Sequence, residues 1–152
     1  HLRSETARYT DPMPDGKWRQ FSMTMECKSV ITNPSGGMNM SGPGDHEIQG
    51  FAWSGNGSVK AVDVTTDGGK TWRTADLEGP ILDKCLTRFR YRWKWDGGPA
   101  KIASRAVDST GYVQPTVADL QQERLISGFV QHHNGIFPWA INSKGEVSNA
   151  IG

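Results

Sequence analysis

The 152-residue chain is the length of one domain and long enough to bury a core; its seventeen basic and sixteen acidic residues leave a formal charge of +1. That balance argues against nucleic acid as the main partner, because phosphate binding needs a local excess of Lys and Arg; no stretch approaches the ~18 apolar residues of a membrane span. Hydrophobic residues supply only 36% of the chain, but six Trp and five Phe compensate, and eighteen Gly with eight Pro punctuate it as turns do in an all-β protein. The N-terminus, His1 to Glu5, is polar and has no apolar region of a signal peptide. Opening on His rather than Met, the chain reads as a fragment or a processed product.

Residues 1–16, polar and carrying Pro12, Pro14 and Gly16, are expected to form a linker or extended arm, and 17–152 the folded domain. From Trp18 onward Phe21, Met23, Met25 and Cys27 recur at every second residue, a period that predicts a strand with these four facing the core and Val30 and Ile31 extending it. His46 to Trp53 form the next predicted strand. Ser54-Gly55-Asn56-Gly57 then turns the chain into Val59 to Thr66, and Asp67-Gly68-Gly69-Lys70 predicts a hairpin returning through Thr71 to Leu77. The strongest alternation runs from Arg88 to Trp95, with Phe89, Tyr91, Trp93 and Trp95 on the core side and Arg88, Arg90, Arg92 and Lys94 on the other. Asp96-Gly97-Gly98-Pro99 ends it, and Lys101 to Asp108 are expected as its hairpin partner. Val117 to Leu125 is the one predicted short helix, and Ile136 to Asn142 a last strand. About seven short strands at this spacing predict an all-β sandwich.

Thr65-Thr66-Asp67-Gly68-Gly69-Lys70-Thr71-Trp72 fits the Asp-box pattern S/T-x-D-x-G-x-T-W, with Thr65, Asp67, Gly69, Thr71 and Trp72 at its defined positions. Its chemistry is local: a turn carboxylate accepts backbone N–H groups, and the Trp packs against the hairpin. It is read as a structural hairpin, with a carbohydrate-binding module as the alternative. The Arg88, Arg90, Arg92, Lys94 row is read as the solvated side of a half-buried strand, with a protein partner next in order. Adjacent His132 and His133 point to opposite sides of an extended chain and, like isolated His46, lack the spacing of a metal site. Cys27 and Cys85 have no C-x-x-C spacing, and the residues leave open whether they form a disulfide or stay as two free thiols. No nucleophile elbow, dinucleotide fingerprint or P-loop occurs. The residues alone thus yield a fold class and no reaction.

An ordered set of short motifs resembles the C-terminal domain of the sulfite oxidase family of molybdopterin oxidoreductases, most like the molybdenum subunit of bacterial sulfite and sulfane dehydrogenases. They include Tyr9-Thr10-Asp11-Pro12, Lys28-Ser29-Val30-Ile31-Thr32 with Pro34-Ser35-Gly36-Gly37, and Gly50-Phe51-Ala52-Trp53-Ser54-Gly55. Val62-Asp63-Val64 leading into the Asp-box, Trp95-Asp96-Gly97-Gly98, Arg105-Ala106-Val107-Asp108, Gly111-Tyr112-Val113-Gln114-Pro115 and Asn134-Gly135-Ile136 continue the series. No piece is specific alone; their order over most of the chain is.

The resemblance implies an immunoglobulin-like sandwich that contributes to a homodimer and helps wall an active site without being catalytic itself. It implies a parent with an N-terminal molybdenum domain holding molybdopterin, so that Cys27 and Cys85 are not metal ligands and no cofactor is expected on this chain. A periplasmic location and a c-type cytochrome as electron acceptor follow from the same resemblance. Some members send an Arg into the substrate pocket from the segment after Gly-Tyr-Val-Gln-Pro. Here that segment, Gln121 to Asn134, has Arg124 as its only arginine, with His132, His133 and Asn134 as the other candidates.

Overall fold

The computed structural model describes residues 10–20, 24–124 and 133–150. Among them two antiparallel sheets stack as a sandwich, with one short helix at the side. Strands β1 (Thr10–Pro12) and β2 (Trp18–Gln20) pair as a hairpin ahead of the sandwich. One sheet has four strands in the order β3-β4-β8-β7: β3 is Lys28–Asn33, β4 Gly44–Trp53, β7 Asp76–Glu78 and β8 Thr87–Trp95. The other has five in the order β11-β10-β9-β5-β6: β5 is Val59–Thr65, β6 Arg73–Thr74, β9 Ala100–Asp108, β10 Trp139–Ile141 and β11 Val147–Asn149.

The expected sandwich is observed, and four local expectations change. The strand predicted from Phe21 starts only at Lys28, which pairs with Trp53, the last residue of β4. Residues 24–27 lie ahead of the first β3–β4 pair and belong to no strand. Met25 is exposed while Cys27 is buried; Phe21 and Met23 lie outside the described residues. The return from the Asp-box hairpin is split: Arg73–Thr74 pairs with β5 in one sheet and Asp76–Glu78 with β8 in the other. Buried Ala75 makes the crossing, its N–H donating to Val62 O at 2.8 Å. Similarly, β8 and β9 are not a hairpin, since β8 pairs with β4 and β7 while β9 pairs with β5 and β10. Residues 96–99 carry the chain from one sheet to the other, anchored by Trp95 Nε1 donating to Gly98 O at 2.8 Å. Finally, the last predicted strand shortens to Trp139–Ile141 and gains β11, which the sequence pattern did not announce.

Between the sheets Ile31, Ile48, Val62, Val64, Phe89, Ile102, Ala106 and Ile141 are buried together, and Tyr91, Trp93 and Trp139 pack partly buried against them. The aromatic row of β8 therefore faces inward, as its period of two requires. Gly50, across from Phe89, makes room for this: a Cβ there would lie 2.2 Å from Val30 O and 2.4 Å from the Phe89 ring. On the outward side each cation of β8 stands opposite an acid, Arg88 and Arg90 facing Glu78 and Asp76, and Arg92 and Lys94 facing Glu47 and Asp45. Arg90 pairs with Glu78, and its Nη1 lies 3.6 Å from Glu47. The row is thus neutralised by its own neighbours, although exposed pairs contribute only about 0–1 kcal/mol each. Among the described residues no helix is long and apolar enough to cross a membrane.

The β-branched and aromatic content of β8 suits a half-buried strand. Helix α1 (Val117–Arg124) is started by a capping box: Asp119 N–H donates to Thr116 Oγ1 at 3.1 Å, and Asp119 Oδ2 accepts from Thr116 N–H at 3.3 Å. Leu120 is its buried anchor. Replacing Gly50 by Ala forces a methyl into backbone and ring. Urea unfolding is expected to show a loss of about 3 kcal/mol or more, at the upper end of overpacking penalties, and an unchanged midpoint would refute this packing.

Candidate functional site

Three structural features stand near the residues singled out by sequence. The first is a buried polar clasp where β3 and β9 meet. Gln114 Oε1 accepts the Ser29 N–H and hydroxyl, each at 2.8 Å, and the Ala106 N–H at 3.1 Å. The Ser29 and Ser104 hydroxyls lie 2.9 Å apart, also buried. Beside it Asn134, only 4% exposed, donates through Nδ2 to Cys27 O at 3.3 Å and to Tyr112 Oη at 3.0 Å. Lys28 Nζ reaches His133 O at 2.6 Å, and its burial lowers its pKa from the usual lysine value.

Asp108 is fully buried at the end of β9. Desolvation opposes its charge, yet donors from Thr110, Ser54 and Tyr112 outweigh it and hold the carboxyl below its ordinary value. Cys27 is pushed up to about 12, first by burial and then by the Asp108 charge. The thiol is therefore neutral and chemically quiet near neutral pH. Both cysteines are free, Cys27 buried and Cys85 exposed.

The second feature is the Asp-box hairpin. Asp67 Oδ1 accepts from Thr71 N–H at 2.9 Å and Thr65 Oγ1 at 2.8 Å, while Oδ2 accepts the Thr71 hydroxyl at 2.6 Å. Thr65 Oγ1 also receives the Gly69 N–H at 2.9 Å. Gly69 has φ +95°, in the region that favours glycine. These donors, led by the Thr71 side chain, hold the Asp67 carboxyl far below the usual carboxylate range. Trp72 stacks on the Arg105 guanidinium, 4.4 Å from its ring centroid, and Arg105 Nη2 lies 3.0 Å from Asp63 Oδ2. One face of Trp72 is thereby occupied. Phe89 and Trp95 are buried as well, so these three aromatics do not form the sugar-binding platform that the carbohydrate reading needs.

Between this hairpin and α1 lies the third feature, an open cleft of about 680 Å³, lined among others by Trp72, Lys101, Arg105, Pro115, Asp119 and Glu123. Its lining carries both cations and acids, and the Thr116 hydroxyl that donates to Asp119 Oδ2 at 2.6 Å there belongs to the cap of α1. Among the described residues there is no group of three or more His, Cys, Asp or Glu able to hold a metal. Cys27, with its high pKa and full burial, does not fit as a thiolate ligand to molybdenum.

The pocket candidates separate. His133 and Asn134 sit beside Lys28, Cys27 and Tyr112, with Asn134 engaged in structure. Arg124 ends α1, its side chain undescribed, and His132 lies outside the described residues. Sequence reasoning quoted Gln114 and Tyr112 only as motif text and did not identify Asp108 or Lys28 as buried polar anchors. An isolated Gln beside Pro carries no local signal of burial.

The model of the Mo-co oxidoreductase dimerisation domain family matches residues 19–133. The chain belongs to that family. Sulfite oxidase of Gallus gallus is 38% identical over 100 residues, covering 60% of this chain and 21% of its own. The mitochondrial sulfite oxidase of Homo sapiens is 34% identical over 126 residues, covering 74% and 22%. In structure, the dimerisation domain is similar to a chain of the sulfane dehydrogenase SoxCD from Paracoccus pantotrophus, with a TM-score of 0.88 and 49% identity over 97% of this chain and 38% of that one. The dimerisation domain thus spans about a fifth of these sulfite oxidases and 38% of the SoxCD chain.

Two measurements probe the clasp and the carboxylates. Gln114→Leu strands the Ser29 and Ala106 N–H groups in the interior and is expected to cost about 2–3 kcal/mol in urea unfolding; a neutral variant would show that the clasp is dispensable. Asp67 and Asp108 have folded pKa values below the unfolded value of about 4, so they contribute stability above that pH and lose it as pH falls through their folded values. Melting temperature should accordingly fall below about pH 4, and less steeply in Asp67→Asn than in the parent chain. Parallel pH profiles would contradict the assignment.

Proposed function

We propose that this chain is the assembly part of a molybdenum-dependent sulfite or sulfane dehydrogenase, pairing with a second copy and walling an active site whose chemistry resides elsewhere in the parent polypeptide. The likeness to the SoxCD chain, over 97% of this domain at 49% identity, is the observation that carries the reading. The polar groups support it in chemical terms. Asp67 and Asp108 are consumed by turn hydrogen bonds, Asp63 by Arg105, Gln114 by the inter-sheet clasp and Cys27 by burial. What remains is a rigid support.

The cofactor domain of the parent would supply the molybdopterin and oxidise the sulfur substrate, with electrons passing to a c-type cytochrome in the periplasm; the family resemblance supports these assignments. His133 and Asn134, beside Lys28, are the part of this domain we assign nearest to that pocket. Light scattering of the purified chain is expected to give twice its 16.7 kDa mass. Sulfite-dependent cytochrome c reduction should be absent from the chain alone and present in the full-length parent. A strictly monomeric chain would remove the pairing role, and turnover by the chain alone would overturn the division of labour.

A further inference from the structure

Met38 and Met40 stand two residues apart on a stretch that bridges to the turn before β11, and that spacing turns both side chains to one side. Asn39 lies opposite Glu146, Val147 N–H donates to Met38 O at 2.9 Å, and Met40 N–H donates to Gly145 O at 2.8 Å. Gly145, at φ +85°, permits the approach, since a Cβ there would lie 2.9 Å from Met40 O. His46 reaches the same place from β4. The two thioethers and the imidazole line one cavity of about 220 Å³, together with Asn33, Ser41 and Glu47.

Neighbouring groups orient these side chains. His46 Nε2 lies 2.7 Å from Gly42 O, and because a carbonyl oxygen only accepts, Nε2 carries the proton and Nδ1 keeps the lone pair. A ligating histidine is held in this way: one ring nitrogen donates to a backbone carbonyl, which fixes the tautomer and plane for the other. Trp95 meets the imidazole edge-on with ring centroids 5.8 Å apart, and Trp93 lies tilted at 6.5 Å. Met38 Sδ accepts the Ser35 N–H at 3.3 Å and its hydroxyl at 3.5 Å. Packing against the core accounts for Met40; Met38 is 41% exposed, and burial does not account for it.

We propose that Met38, Met40 and His46 form a binding site for a soft monovalent cation, copper(I), held by two thioether sulfurs and the imidazole Nδ1. Among the described residues His, Cys, Asp and Glu make no metal-holding group of three, but thioether sulfur lies outside that set. Thioethers are soft, neutral donors that select Cu(I), whereas carboxylates and carbonyls suit Mg2+ or Ca2+. Glu47, the carboxylate in the lining, is already engaged by Gln49 Nε2 at 2.5 Å and by Arg90 Nη1 at 3.6 Å, which leaves the choice of ion to the soft ligands. The ion enters and leaves as Cu(I), so no electron moves and no thiolate is needed. This site stands apart from the assembly role and does not depend on it.

The test uses the chain labelled with 13C at its methionine methyls, in a Cys85→Ser background because the exposed Cys85 thiol would itself take up the ion. Cu(I), supplied under nitrogen as its acetonitrile complex, should shift the Met38 and Met40 methyl signals in a one-to-one titration. Those of Met13 and Met25 should stay in place, and Zn2+ should move none of the four. Calorimetry of the same titration gives the affinity. Met38→Leu with Met40→Leu, and separately His46→Gln, should each weaken it at least about tenfold, while Met25→Leu should leave it unchanged. Leu keeps the volume of Met, and urea unfolding shows whether each variant is folded. Should His46→Gln fail to fold, the methionine variants decide alone. No uptake, an equal affinity in the double methionine variant, or shifts centred on Met13 or Met25 each overturn the site. An unchanged affinity in folded His46→Gln removes the imidazole from the ligands and overturns it as well.

Discussion

A single buried amide oxygen, Oε1 of Gln114, joins the two sheets of this sandwich. It takes two donors from Ser29 on β3 and one from Ala106 on β9, groups that would otherwise face an apolar interior unpaired. Leaving such donors unsatisfied costs far more than the net value of an ordinary hydrogen bond. Position 114 is held in turn by its own N–H, which donates to Ala106 O, and it leads directly into Pro115 and the capped helix. The placement of the 111–124 segment, and with it one wall of the cleft beside Trp72, follows from this contact.

Around that clasp the domain uses its ionisable groups as fasteners. Asp108 gathers the 108–112 turn and reaches Ser54 of a different loop, Asp67 closes the Asp-box hairpin, and Asp63 fixes Arg105 beneath Trp72. A carboxylate that accepts three or four hydrogen bonds is a poor general base, since those bonds stabilise its charged form. The hydrogen bonds that favour Asp67 and Asp108 as anions therefore suit an architectural role. A dimerisation domain benefits from this stiffness, because ordering a flexible surface would be charged against its association.

Much of the architecture was legible from local pattern. The period of two in Arg88 to Trp95 placed Phe89 and Trp95 inside, Asp67-Gly68-Gly69-Lys70 announced its hairpin, and Val117 onward announced a helix, because each signal is carried by neighbouring residues. The alternation held at Cys27, which is buried, but misled at exposed Met25 for a physical reason. Period two shows that a segment could be a strand, but a strand also needs a neighbour, and β4 ends at Trp53 opposite Lys28. The ordered motifs pointed to the family as text, without showing what Gln114, Tyr112 or Asp108 do.

The sequence by itself determined the all-β class, the hairpin chemistry of Thr65 to Trp72, the helix and the family, all of which depend on residues close in the chain or on their order. Only the tertiary structure decided that β8 and β9 part into different sheets, that Ala75 carries the chain across, and that Asn134 meets Cys27 and Tyr112. Those outcomes turn on which strands become neighbours and which groups are shut away from water together. Such pairings are set by packing between segments as far apart as Ser29 and Gln114, and no window along the chain contains them.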